Sequence, residues 1–95
     1  MQVHSTYTVQ VTDCDIQCGR AGNSVQCPIA IAMRRAMSRP VSVGAGDFIL
    51  LDRFPLPRYL LPPTVDSFIL DYDAGQHHRC LPFSFQVSFS EKLYG

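Results

Sequence analysis

Two segments, one near each end of the chain, alternate between apolar and polar residues so regularly that they narrow the choice of fold class at once. In "VHSTYTVQVT", residues 3–12, Val3, Tyr7, Val9 and Val11 fall on one side of an extended backbone, and His4, Thr6, Thr8, Gln10 and Thr12 on the other. In "PFSFQVSFS", residues 82–90, Phe83, Phe85, Val87 and Phe89 alternate in the same way with Ser84, Gln86, Ser88 and Ser90. Successive side chains of a strand point to opposite faces, so a period of two predicts a strand with one face on a core and one in water. Sheets solvated on one side are characteristically antiparallel.

The period changes between these strands. Pro28 suits a first helical turn, where its missing N–H costs nothing, and Ile29, Met33, Ala36 and Met37 then form one stripe. Arg34, Arg35 and Arg39 lie largely off that stripe, and Pro40 ends the helix. A second helix is predicted from about Pro63 to Ala74, with Val65, Phe68, Ile69 and Tyr72 as its stripe and Gly75 as its stop. "RPVSVGAGDFILL" reads as a β-hairpin turning at Gly44 and Gly46, and the Pro-rich "DRFPLPRYLLPP" as a loop or an edge segment. Thr12 and Asp15 have the spacing of a capping box for a short helical turn.

The expectation is a single α+β domain over residues 1–95, in the order β-α-β-β-α-β. Its sheet is mainly antiparallel, of three to five strands, with two helices packed on one face. Val9, Val11, Ile29, Met33, Phe68, Ile69, Phe85 and Val87 should share its core.

Composition limits the function classes. Eight basic residues balance eight acidic ones, so the total supplies no excess of cations for nucleic acid. No stretch approaches eighteen apolar residues, and the N-terminus shows no basic and apolar leader pattern, so the expected compartment is the cytosol. Cys14, Cys18, Cys27 and Cys80 are then expected as reduced thiols.

Cys27, directly before Pro28 at a helix start, is the first chemical candidate, because the macrodipole there favours a thiolate. The sequence around it carries no familiar cysteine-nucleophile motif, and a small buried thiol explains it at less expense. Zinc is the second candidate. Cys14 and Cys18 have ligand spacing, but His77, His78 and Cys80 form no standard second pair. No catalytic residue, metal or cofactor is therefore expected. "VGAGD" lacks the Lys-Ser/Thr of a phosphate loop.

The exposed strand faces are less ordinary. Thr6, Thr8, Gln10, Ser84, Gln86 and Ser88 carry no charge, and neighbouring strands would make of them a flat, neutral, hydrogen-bonding surface. Thr8, Gln10, Gln86 and Ser88, with Arg34 and Arg35 as anchors, are the expected binding residues for a partner protein or a second copy.

The series "VTDCDIQCG…QCPIAIAMRRAMSRPVSVG…LPPTVDSFILDYDAG…PFSFQV" resembles a group of short uncharacterised bacteriophage accessory proteins. They share a C-P-[IV]-A-x-A helix start, a V-S-V-G strand, a proline-led helix ending D-x-G and a final P-F-S-F strand. The resemblance covers about residues 7 to 89; Cys27 lies inside its motifs, whereas Cys14, Cys18 and Cys80 lie outside them. It implies a phage-encoded protein of the bacterial cytoplasm and no particular reaction. The expected function is non-catalytic binding to a host protein, as an inhibitor of host defence. The alternative is a small thiol- or zinc-dependent enzyme or regulator centred on Cys27.

Overall fold

The computed structural model describes residues 2–53 and 55–92. Strand β1 (Gln2–Val11) leads into a short helix α1 (Asp13–Cys18), and a loop joins it to α2 (Pro28–Met37). Three strands follow: β2 (Val41–Val43), β3 (Asp47–Leu50) and β4 (Arg58–Leu60). Helix α3 (Pro63–Asp73) and a 3-10 turn at His77–Arg79 precede the last strand, β5 (Phe83–Lys92). The fold is α+β with antiparallel sheets.

One expected sheet is two. β1 pairs only with β5, and β2, β3 and β4 form a separate three-stranded sheet in that order among the described residues. The first and last strands thus close the chain into a ten-pair ribbon, from Gln2 opposite Lys92 to Val11 opposite Phe83. The hairpin from 41 to 50 turns where expected, with Gly46 at φ +81°, a conformation that favours glycine. The Pro-rich segment supplies β4, an edge strand, as its prolines require; Phe54 of that segment lies outside the described residues.

The two sheets share one core. Phe48 of β3, Tyr59 of β4 and Phe89 of β5 pack ring against ring, with centroids 4.7–5.8 Å apart. α2 contributes Ile29, Ala30, Ala32, Met33 and Met37 against Val9 and Val11, and its small alanines permit close approach to β1. α3 adds Val65, Phe68 and Tyr72, with the Phe68 ring 5.2 Å from Phe83 of β5. Seven of the eight expected core residues are buried. The exception is Ile69, which is only half-buried because it borders a surface cleft.

The loop between α1 and α2 is held on three sides. Asn23 accepts the Val25 and Gln26 amides on its side-chain oxygen, a local turn that asparagine favours. Asp73 of α3 accepts the Gly22 amide, and Ser24 accepts the Val43 amide of β2. The Tyr72 hydroxyl bonds the carbonyls of Ile16 and Gly19, and Gly19 lies so close to Pro28 that a Cβ there would sit 2.6 Å from the ring.

Candidate functional site

The alternation in β1 and β5 becomes a ladder of exposed polar pairs on one face of the ribbon. Register sets His4 opposite Ser90, Thr6 opposite Ser88, Thr8 opposite Gln86 and Gln10 opposite Ser84. The first three pairs are bonded through their side chains. His4 Nδ1 lies 3.1 Å from Ser90 Oγ, Thr6 Oγ1 lies 2.9 Å from Ser88 Oγ, and Gln86 Nε2 donates to Thr8 Oγ1 at 3.4 Å. From Thr6 to Gln10 and from Ser84 to Ser88 this face carries no ionised side chain. A partner docking here would desolvate hydroxyls and amides, a much smaller cost than stripping water from charges.

The structure brings together Thr8, Gln10, Gln86 and Ser88, all exposed. Arg34 and Arg35, the expected anchors, each have an internal partner, and the Arg35 side chain remains half exposed. Arg34 donates to the Val25 carbonyl and so holds the loop before its own helix. Arg35 makes a two-pronged ion pair with Asp15, at 2.8 and 2.7 Å, and also donates to the Gln10 carbonyl at 2.8 Å. Asp15 in turn completes the capping box with Thr12, as their spacing predicts. The Arg35 guanidinium beside it, with the Thr12 contacts, holds the Asp15 carboxyl below the usual carboxylate range against the opposing effect of burial.

Cys27 is the N-cap of α2, and its sulfur accepts the Ala30 amide at 3.4 Å. The macrodipole reading of the sequence predicts a lowered pKa. Burial outweighs it: the thiol is 6% exposed, and desolvation pushes its pKa up despite the helix amides. Cys27 also lines a cleft of about 200 Å³ between the 22–27 loop, the β2–β3 turn and α3, where Asp66, Ile69 and Asp73 complete the wall. Its structural work is that of a small apolar cap.

The residues weighed as zinc ligands are dispersed. Cys14 and Cys18 are exposed on α1 with their sulfurs 3.8 Å apart, and the hydrogen bond between them raises the Cys18 pKa. Cys80 is buried behind α3, while His77 stacks on Tyr72 with centroids 4.3 Å apart. Among the described residues no three His, Cys, Asp or Glu side chains come together as a metal site.

Sequence reasoning missed a second charged centre. Glu91 is 8% exposed and accepts from Arg39 at 2.6 and 2.9 Å and from Arg53 at 2.9 Å, while Arg39 also forks onto Asp52 at 2.9 Å. The one available signal is Glu91 at an inward position of the alternating pattern, opposite Val3. It also missed the apolar edge of the second sheet, where Leu56 and Leu60 of the Pro-rich segment are exposed. The chain matches no protein-family model, no curated protein and no solved structure.

Proposed function

We propose that this chain is a phage-encoded accessory protein of the bacterial cytoplasm that acts without catalysis, by binding a host protein of the defence machinery and inhibiting it. The observation that carries the reading is the neutral face of the ribbon: Thr8, Gln10, Gln86 and Ser88 stand exposed and adjacent on two paired strands. Such a face offers hydrogen-bonding groups at strand spacing with no charge to desolvate. The resemblance in the helix-start and final-strand motifs supports the phage setting. Arg35, half-exposed and bonded to the Gln10 carbonyl, enters this reading as an anchor at the border of the face, and Arg34 holds the loop before α2.

The test is an affinity pull-down from the bacterial host with the unaltered protein and a Gln10→Lys/Gln86→Lys variant. Burying two ammonium groups without partners is expected to weaken binding roughly tenfold or more. Both positions are exposed, so stability should change by less than about 0.5 kcal/mol. A well-folded Cys27→Ser protein is expected to bind as before, since the thiol is covered at its helix start. Full binding by the double-lysine variant, with loss of activity in folded Cys27→Ser, would move the function to thiol chemistry.

A further inference from the structure

The outer edges of the ribbon can be assigned from two hydrogen bonds. Arg35 donates to the carbonyl of Gln10 and Tyr59 donates to the carbonyl of Ser90, so both carbonyls point away from the paired strand. Main-chain groups alternate between the two edges of a strand. Gln10 and Ser90 are both even-numbered, and even residues face even residues throughout this register. The amides and carbonyls of His4, Thr6 and Thr8 therefore point outward from β1, and no third strand covers them among the described residues.

This edge also lacks the usual protections. Proteins guard open edges with lysine, proline, bulges or short strands. β1 has ten residues, no proline and no Asp, Glu, Lys or Arg, and it pairs without a bulge from end to end. The core is incomplete beneath its first half. Val3, Ser5 and Tyr7 are only half-buried, whereas Val87, Phe89 and Glu91 directly opposite on β5 are buried. The apolar side chains of Val3 and Tyr7 are thus left partly open beside the open edge. At the other end Val9 and Val11 are fully covered, and Arg35 occupies the Gln10 carbonyl, so the free segment is the first seven residues of the strand.

We infer that the occupant of this edge is a second copy of the chain, its β1 antiparallel to the first about a two-fold axis at Ser5. That register sets His4 against Thr6 of the second copy and Gln2 against Thr8, each pair exchanging two main-chain hydrogen bonds. It sets Val3 against Tyr7 of the second copy, which covers the two half-exposed apolar side chains that β5 leaves open. It also stops short of Gln10. The two neutral faces then lie on one side of a continuous four-stranded sheet, since the same patch serves both subunits. The dimer forms without any host protein, so its failure and the failure of the proposed function are separable.

Sedimentation equilibrium over a concentration series is expected to show a monomer–dimer equilibrium. A His4→Lys/Thr6→Lys variant, which puts like charges opposite one another, should raise the dissociation constant roughly tenfold or more. A His4→Glu/Thr6→Lys variant should restore dimerisation, because the register makes those charges complementary. Ser5→Cys, in a Cys14→Ser/Cys18→Ser background, should crosslink nearly completely under mild oxidation. Residues in such a non-hydrogen-bonded pair lie about 4.5 Å apart at Cα, within disulfide reach. A protein that stays monomeric to its solubility limit overturns the inference and leaves the edge to a different strand. So does a dimer that is indifferent to the double lysine and fails to crosslink through Cys at position 5.

Discussion

Phe48→Ala is expected to destabilise the fold by about 3–5 kcal/mol, the range for removing a large aromatic side chain from a packed core. Phe48 is 1% exposed, and its ring meets Tyr59 at 5.5 Å and Phe89 at 5.8 Å. It joins the three-stranded sheet to the ribbon, and collapse of the surroundings is limited because each neighbour is anchored in its own strand. A domain of this size has a total stability of about 5–15 kcal/mol, so the variant should lie near its unfolding midpoint at modest urea concentrations. In thermal unfolding the midpoint should drop by roughly 15–30 °C. Leu60→Ala, at a side chain 86% exposed, is the control and should shift stability by less than about 0.5 kcal/mol. Equal effects of the two substitutions would refute a shared core between the sheets.

The second large effect belongs to Arg39. Its guanidinium holds Glu91 and Asp52 together, and replacing it with alanine leaves the buried Glu91 carboxylate with Arg53 alone. Stranding one member of a buried pair costs about 3–5 kcal/mol; with Asp52 and Arg53 each more than a third exposed, about 2–3 kcal/mol is expected. The pH dependence carries a second signature. Hydrogen bonds from Arg39 hold Glu91 below its ordinary 4.5 and Asp52 below its ordinary 3.8, and burial of each acts in the opposite direction. A carboxylate lowered on folding contributes stability above its unfolded pKa and loses it as pH falls through the folded one. Stability of the unaltered protein should therefore fall as pH drops below 4.5, and Asp15, lowered chiefly by Arg35, adds to the same limb. Arg39→Ala should start less stable at neutral pH and lose less on acidification. Parallel curves for the two proteins would show that Arg39 does not set these pKa values.

Much of the candidate site is legible in the amino-acid sequence alone. A strand's period of two assigns Thr8, Gln10, Gln86 and Ser88 to a solvent face as soon as the apolar partners are assigned to a core, and the exposure of each agrees. The arginines are less legible. Arg34 and Arg35 read as anchors for a partner because helix periodicity reports only which side of a helix they occupy. Their acceptors, the Val25 carbonyl and the Asp15 carboxylate, are 9 and 20 residues away, beyond what a local pattern encodes. Cys27 shows the opposite case. Its place at a helix start follows from Pro28, but the direction of its pKa shift depends on how deeply the neighbours bury it.

By itself the sequence determined the two long strands, the two longer helices, the hairpin turn and which side of each long strand meets water. Those properties follow from periodicity, from the fixed φ of proline and from the backbone freedom of glycine, and each acts over a few residues. Only the tertiary structure decided that the two ends of the chain pair with each other and stand apart from the central three strands. It alone buried Glu91 under two arginines 52 and 38 residues away, and left the first half of β1 open along one edge. Such outcomes depend on register between segments distant in sequence. A one-residue slip in that register would turn every side chain of the ribbon to the other face.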